Sequence, residues 1–218
     1  YAVPHATAAF LAKQILSSGP PSRVPKIITT LHRTDITLLG NDTSYSETVA
    51  FSIDASDGVT AVSESLKADT YKALRVRSDT RVIPNLLNCA HHGRVPVSDA
   101  LRQRICRGRC EKIVIHVSNF RPVKRVKDVV RVFDRVRKEV PSVLVMVGDG
   151  PDRHDAEQEA RELGIDKDVQ FLGKIDNVAP LLAAADLFLL PTNSESFGLS
   201  ALEALASGTP VIGSDVGG

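Results

Sequence analysis

Short apolar runs alternate with amphipathic stretches along most of the chain, and this alternation limits the possible folds more than any other feature. Runs of this kind are typical of strands that are buried on both faces of a parallel sheet. Strands that alternate with helices form βαβ crossovers, so we expect an α/β protein. The predicted strands are residues 26–31, 58–62, 81–84, 112–117, 142–147, 169–172, 186–190 and 210–212. The predicted helices are residues 6–16, 44–55, 64–74, 126–140, 153–163, 178–185 and 197–207.

Composition and charge exclude several classes of protein. The 218 residues are 43% hydrophobic, which is enough to form a core and excludes a disordered or collagen-like chain. Because 27 Lys+Arg face 26 Asp+Glu, the net charge of +1 cannot support general binding to nucleic acid or to an anionic membrane. No apolar run approaches the roughly 20 residues that span a bilayer, and no signal-peptide pattern follows Tyr1. We expect a cytoplasmic protein with no nucleic-acid partner and no membrane span.

The cysteines argue against a disulfide framework and against a metal site. Cys89, Cys106 and Cys110 are an odd number in a chain that is large enough to fold without cross-links. No second cysteine pair lies near Cys106 and Cys110, and His91 and His92 are adjacent to each other in a turn-like stretch. We therefore expect reduced thiols and no bound metal.

Residues 86–111 interrupt the alternation and mark the predicted boundary between two halves, because they form neither a clear strand nor a long helix. We predict a partial first Rossmann-like domain at residues 1–105 and a partial second one at residues 106–218. The first half offers only three strands and the second ends directly after a strand, so we expect both domains to be truncated. We expect the arginines of this boundary to lie on a solvated face. They are Arg102, Arg104, Arg107 and Arg109.

The most informative segment is residues 189–212, where a buried strand ends in a loop and a helix is predicted to begin near Ser196. The first backbone N–H groups of that helix would point out from the carboxyl edge of the sheet and bind an anion. Two carboxylates, Glu195 and Glu203, bracket this position at the spacing E-x7-E. In isolation, the same pattern fits a plain N-cap followed by a solvated glutamate. The predicted anion-binding residues are Ser196, Phe197, Gly198 and Leu199.

In its surroundings, this segment resembles the E-x7-E signature of the retaining glycosyltransferases of family four, which have the GT-B fold, and the likeness continues to Gly217 and Gly218. The resemblance implies two Rossmann-like domains and a nucleotide-sugar donor, with no cofactor and no obligatory metal. It also implies that the carboxylates of Glu195 and Glu203 accept hydrogen bonds from the hydroxyl groups of the sugar and of the ribose.

A basic loop follows the predicted strand 112–117 and contains Arg121 and Lys124. Cations at this place would stabilise the negative charge that grows on a departing phosphate. Considered alone, the loop fits a pair of solvated basic residues equally well. The family has a Gly-Arg-Leu stretch followed by lysine here, which corresponds to Lys124. Asn119 replaces the family's arginine, and Arg121 is expected to supply the lost charge.

His32 follows the first predicted strand and resembles the histidine of the family's His-Gly-Thr-Asp motif, which meets the donor sugar in the cleft between the domains. A lone histidine at a strand end is more often structural. Thr34 matches the motif, but Arg33 stands where the family has glycine, so we expect a narrower or altered acceptor side. Gly148 belongs to a glycine-rich loop that the family keeps near the nucleotide.

One subgroup of the family is similar to this chain at residues 1–6, 31–32, 34–37, 57–63, 118–126 and 171–174. The resemblance implies transfer of N-acetylglucosamine from its UDP donor to L-malate with retention. The expected partners are therefore a UDP-sugar and a small anionic acceptor. Whether the protein forms a homo-oligomer is left open by the sequence. Two alternatives also stay open: a family-four transferase with a different acceptor, and an inactive fragment that binds a nucleotide sugar. The predicted catalytic residues are His32, Arg121, Lys124 and Glu195, and the predicted substrate-binding residues are Tyr1, Thr34, Gly148, Ser196, Phe197, Gly198, Leu199 and Glu203.

Overall fold

Every strand in the part of the chain that the structure describes runs parallel to its neighbours, in two separate sheets. The computed structural model describes residues 2–20, 24–32, 36, 43–88, 96–108 and 112–217. Sheet A has the order β1-β2-β3 and sheet B the order β6-β5-β4-β7-β8. The strands are β1 Ile28–Leu31, β2 Gly58–Ala61, β3 Thr80–Val82, β4 Lys112–Val117, β5 Ser142–Val147, β6 Val169–Gly173, β7 Leu187–Leu190 and β8 Val211–Gly213. The predicted α/β class with parallel sheets is confirmed.

The chain divides into two units, each built on one of the sheets. Unit 1 comprises Tyr1–Asn85 together with Glu195–Phe197 and Gly217–Gly218, and unit 2 comprises Leu86–Ser194 together with Gly198–Val216. The helices are α1 Thr7–Ser17, α2 Thr43–Asp54, α3 Glu64–Ala73, α4 Asp99–Cys106, α5 Val126–Glu139, α6 Arg153–Glu162, α7 Ala179–Ala184 and α8 Leu199–Ala206, with a π-helical segment at Ala2–Ala6 and a 3-10 turn at Pro122–Lys124.

The segment that was expected to hold neither a clear strand nor a long helix contains one short helix, α4, among its described residues. Its N-cap is Ser98, whose hydroxyl accepts the Leu101 amide at 3.3 Å. Ile105 and Cys106 are buried in the core of unit 2, while Arg102 and Arg104, which precede them in the helix, conceal the helical pattern of apolar residues. Arg102 is also not on a solvated face, because it donates hydrogen bonds to the Ala184 carbonyl and the Asp186 carboxylate.

Helices cover both faces of sheet B, because alternate residues of its buried strands point to opposite sides. Ile113 and Ile115 of β4 pack with residues of α4, α7 and α8 on one face. Val114 of the same strand and Met146 of β5 pack with α5 and α6 on the other face. Because helices bury both faces, β4 and β5 are apolar along nearly their whole length. The bounds predicted for these two strands therefore agree with the observed ones.

Among the described residues of unit 1, the core lies between sheet A and helices α2 and α3. Leu31 and Ala61 supply the sheet side, and Ile53 and Leu66 supply the helix side. Ile28, at the start of the edge strand β1, is exposed. None of the described helices is long and apolar enough to cross a membrane.

The expectation of reduced thiols is wrong for Cys106, which is disulfide-bonded. An odd number of cysteines argues against a complete framework of disulfides, but it does not forbid a single bond. Cys89 and Cys110 lie outside the described residues.

A charged cluster at Asp186 joins the start of β7 to β4 and α4. The Asp186 carboxylate accepts hydrogen bonds from the Ile113 amide at 2.8 Å, from Arg102 at 2.9 Å and from Lys112 at 3.3 Å. Partial burial raises the pKa of Asp186, but the bonds from Ile113, Arg102 and Lys112 together outweigh this effect, so the pKa lies below its ordinary value. The ionised carboxylate therefore stabilises the fold above the ordinary pKa of aspartate.

We predict that Asp186→Asn lowers the free energy of unfolding by about 1–2 kcal/mol at pH 7, because the charged hydrogen bonds to Arg102 and Lys112 are lost. The difference from wild type should shrink as the pH falls below about 4, because the carboxylate of the unfolded chain takes up a proton there and that of the folded protein does so at a still lower pH. Urea unfolding at pH 7 and at pH 3 measures both effects. Asp166→Asn, a change at an exposed turn, is the matched control and should have little effect at either pH; equal losses in the two variants would contradict the assignment.

Candidate active site

The carboxyl edge of sheet B has one topological switch point. The chain passes from β4 to β5 and β6 on one side, and then crosses back to β7 on the other side of β4. The loops after β4 and β7 therefore leave the sheet toward opposite faces, and this divergence is expected to open a crevice between the two strand ends. In open α/β sheets, ligands bind in this crevice.

The loop after β4 carries the basic residues that the sequence singled out. It contains the 3-10 turn Pro122–Lys124, in which the Lys124 amide donates to the Arg121 carbonyl at 2.8 Å. Arg121 is exposed, whereas Lys124 is half-buried. Arg125, with φ of 50°, ends the turn and is also the N-cap of α5, which starts at the next residue. Lys124 is thus held at a fixed place beside the switch point.

One carbonyl joins this turn to the loop after β7. The Val123 oxygen accepts hydrogen bonds from the buried Thr192 hydroxyl at 2.8 Å and from the Asn193 amide at 2.9 Å. Because Lys124 follows Val123 directly, these two bonds fix the lysine backbone against the opposite wall of the crevice.

Two glycines let the loop after β5 lie flat against the loop after β4. A Cβ atom on Gly148 would come within 1.8 Å of the Ser118 carbonyl oxygen, and one on Gly150 within 2.1 Å of the Asn119 oxygen. Any side chain would separate the two loops. This close packing alone explains why position 148 is a glycine. The contact of Gly148 with a nucleotide therefore stays a prediction.

Helix α8 begins at Leu199, so the expected start near Ser196 is wrong. Gly198 is the N-cap, with φ of 79° and ψ of 46°, a left-handed conformation that breaks the helix before it. The Ala201 and Leu202 amides both donate to the Gly198 carbonyl, at 2.9 and 3.0 Å. The amides that lie outside the helical hydrogen bonding are consequently those of Leu199 and Ser200. Of the predicted pair of carboxylates, only Glu203 is on the helix.

The remaining predicted residues that the structure describes belong to unit 1. His32 directly follows β1 and is half-buried. Within the same unit, the Ser196 carbonyl accepts a hydrogen bond from the Ser63 hydroxyl at 2.6 Å, and Phe197 packs against the unit 1 core. Glu195 forms a parallel bridge with Gly217.

The structure thus collects the predicted residues into two groups. Arg121, Lys124 and Gly148 lie on loops at the carboxyl edge of sheet B, and Gly198, Leu199 and Glu203 lie at or on α8 in the same unit. The other group, in unit 1, consists of His32, Glu195, Ser196 and Phe197. Tyr1 and Thr34, together with Arg33, lie outside the described residues.

Sequence reasoning missed His116, which lies fully buried near the end of β4. Its Nδ1 atom is 2.8 Å from the Leu189 carbonyl oxygen, and its Nε2 atom is 2.8 Å from the Ser118 hydroxyl. The pKa of His116 is lowered to about 4: burial lowers it most, the hydrogen bond to Leu189 raises it in part, and the nearby charge of Lys124 lowers it further. A signal was present in the sequence: His116 is the polar residue inside an otherwise apolar strand.

A cavity of about 780 Å³ lies in unit 1 and contains none of the predicted residues. Its walls combine Phe10 and Phe51 with Glu47 and Arg75. The size of a cavity alone does not identify a site, and the switch point of sheet B has the better chemical argument.

Comparisons with known proteins agree with the fold. The chain is 46% identical over all 218 residues to the N-acetyl-alpha-D-glucosaminyl L-malate synthase of Bacillus anthracis, and covers 56% of that protein. It is 36% identical over 163 residues to the alpha-monoglucosyldiacylglycerol synthase of Streptococcus pneumoniae, which is 72% of this chain and 37% of the relative. The chain therefore spans about half the length, or less, of these two relatives.

Solved structures share the architecture at low sequence identity. The Anabaena Alr3699/HepE structure in complex with UDP and glucose has a TM-score of 0.79 and 19% identity, and the match covers 98% of this chain and 58% of that one. Sucrose-phosphate synthase from Thermosynechococcus elongatus has a TM-score of 0.73 and 23% identity over 98% of this chain and 55% of its own. These matches confirm the GT-B fold.

A sequence profile described as "Glycosyl transferases group 1" matches residues 98–218. The match takes in most of unit 2 and more than half of the chain. It includes the loops after β4, β5 and β7 and the whole of α8. The chain therefore belongs to the glycosyl transferases of group 1.

Proposed function

We propose that the protein transfers N-acetylglucosamine from UDP-N-acetylglucosamine to the hydroxyl group of L-malate, with retention of configuration. The observation that carries the donor part of the proposal is the crevice at the β4–β7 switch point, with the Lys124 turn bonded to its opposite wall. The sugar and the acceptor rest on the 46% identity to the Bacillus anthracis enzyme along the whole chain.

The diphosphate of the donor fits the charges of unit 2. Two backbone amides at the start of α8, those of Leu199 and Ser200, would face its oxygens together with the positive end of the helix dipole. The Lys124 ammonium and the exposed Arg121 guanidinium supply two further positive charges. Glu203, half-buried on α8, would accept hydrogen bonds from the ribose hydroxyl groups.

The chemical step breaks the bond between the sugar C1 atom and the β-phosphate oxygen, and the electron pair stays on the phosphate. The malate oxygen bonds to C1 on the same face, and its proton passes to the departing phosphate. Negative charge grows on that phosphate during the reaction, so Lys124 stabilises the transition state more than the bound donor. Glu195 and His32 are assigned to the sugar, as in the family that the sequence resembles.

A different acceptor is the second candidate, and Arg33 favours it. This residue stands where the family motif has glycine, and a guanidinium there would attract an anion or narrow the acceptor side. The anionic character of the acceptor is common to both candidates. The two candidates differ only in which small anion accepts the sugar.

The direct test of the proposed function is release of UDP from UDP-N-acetylglucosamine by the protein as its gene encodes it, with L-malate and with a panel of other hydroxy acids. We expect UDP release that depends on L-malate, and a product in which the sugar keeps its α configuration by NMR. If another hydroxy acid gives faster release of UDP, that compound is the acceptor instead of L-malate. A folded protein that releases no UDP with any acceptor and does not bind UDP would contradict the whole proposal.

We predict that Lys124→Ala lowers the turnover number at least about a hundredfold, because a preorganised cation aimed at developing charge typically contributes ~10²–10³ in rate. The affinity for UDP should fall much less, and the melting temperature should stay near that of wild type. Steady-state kinetics, calorimetry with UDP and thermal unfolding measure the three quantities.

Lys167→Ala, which removes an equal charge from an exposed turn, is the matched control for Lys124→Ala and should keep wild-type turnover. If Lys124→Ala also turns over at the wild-type rate, the lysine is only a surface residue. If both variants lose turnover equally, the loss is an effect of net charge and the assignment to the leaving group is wrong.

A further inference from the structure

His116 occupies the central strand of sheet B at a place where both loops of the switch point begin. It is fully buried, and its ring is stacked near two phenylalanines, with centroid distances of 6.1 Å to Phe120 and 6.3 Å to Phe188. Its two ring nitrogens reach in different directions, one to the Leu189 carbonyl and the other to the Ser118 hydroxyl, both at 2.8 Å. Leu189 lies on β7, and Ser118 begins the loop after β4.

The chemistry of the partners fixes the direction of every hydrogen bond in this cluster. A carbonyl oxygen can only accept, so Nδ1 of His116 carries the proton that is donated to Leu189. With its pKa lowered to about 4 by burial, the ring is neutral at pH 7 and Nε2 is an acceptor. The Ser118 hydroxyl therefore donates to Nε2, and its oxygen accepts the Phe120 amide at 3.3 Å. One continuous chain runs from the Phe120 amide to the Leu189 carbonyl.

The segment that this chain holds is strained. Phe120 has φ of 38°, a left-handed conformation that side chains rarely adopt, and its side chain is fully buried. Such a conformation persists only where the surroundings over-determine it, and strain of this kind clusters at functional sites. The Phe120 carbonyl accepts the Asp152 amide at 3.0 Å, and Gly150 presses against the adjacent Asn119 carbonyl. The His116 chain supplies the contact from inside the sheet.

We propose that His116 is a positioning residue, which holds the loop of residues 118–124 in the strained form that directs Lys124 into the crevice. The loop is bonded at two ends: Ser118 is held by His116, and the Val123 carbonyl is held by Thr192 and Asn193. Both attachments lead to the β7 side of the crevice, so the position of Lys124 is set relative to that wall. The catalytic meaning of this inference rests on the proposed function.

The test compares His116→Phe and Ser118→Ala, each with Lys124 intact and with Lys124→Ala. His116→Phe keeps an aromatic ring but removes both hydrogen bonds, and Ser118→Ala removes the hydroxyl from the other end of the same contact. With Lys124 intact, we expect His116→Phe to lower kcat roughly 10- to 100-fold, since a displacement of about 1 Å can have that effect. The KM for the donor and the Kd of UDP should change far less.

Coupling between the substitutions separates positioning from a general loss of stability. If His116 acts through Lys124, His116→Phe should lower kcat by less than about threefold when Lys124 is already alanine. Ser118→Ala should give a smaller loss that disappears in the same background. Ile113→Ala is the matched control, because it removes buried volume from the same strand in the cluster on the other face of the sheet, which contains no residue of the loop 118–124; it should lower the melting temperature and leave kcat unchanged.

Equal losses of kcat in the two Lys124 backgrounds, or losses that follow the melting temperature of the variants as measured with Ile113→Ala, would overturn the proposal. If His116→Phe does not fold, the double-mutant cycle of Ser118→Ala and Lys124→Ala tests the proposal by itself. Absence of turnover in the wild-type protein would overturn the proposed function instead. Amide exchange at residues 118–125 then decides whether the loop is held by this contact: faster exchange in Ser118→Ala than in Ile113→Ala supports the proposal, and equal exchange overturns it.

Discussion

The pairing of β4 with both β5 and β7 is the constraint on which the candidate site depends. Ile115 lies opposite Val145 on one side and Phe188 on the other, and all three strands point the same way. Parallel strands end at one edge, so this pairing alone brings the loops after β4, β5 and β7 together. The apolar residues of β4 secure the arrangement by packing with helices on both faces of the sheet.

Close contacts then convert a set of neighbouring loops into a defined crevice. Two glycines allow the loops after β4 and β5 to touch, and the Val123 carbonyl accepts a hydrogen bond from the loop after β7. The hydrogen bond from His116 to Leu189 joins β4 to β7. None of these contacts uses a group that would bind a substrate. These contacts do not involve the Lys124 ammonium, the Arg121 guanidinium or the first amides of α8, and the rigid scaffold thus holds these charges in a preorganised arrangement.

The sequence predicts the strands better than the details of the site, for physical reasons. A strand that is buried on both faces must be apolar throughout, so the bounds of β4 and β5 could be predicted as they are. The start of α8 was predicted too early, because the left-handed conformation of Gly198 depends on its surroundings and not on the helical pattern. Helix α4 was hidden by arginines, one of which bonds to Asp186 far along the chain. His116 was passed over because its partners, Leu189 and Ser118, are brought together only by the folded sheet.

The central claim is that the crevice at the β4–β7 switch point receives the nucleotide sugar. Hydrogen–deuterium exchange of the protein as its gene encodes it, with and without UDP, tests this claim most directly, because it reports where a ligand protects the backbone. We predict slower exchange in residues 118–125, 148–152 and 198–201 and unchanged exchange in residues 46–55, which line the unit 1 cavity. Protection of residues 46–55 without protection of the three loops would contradict the account.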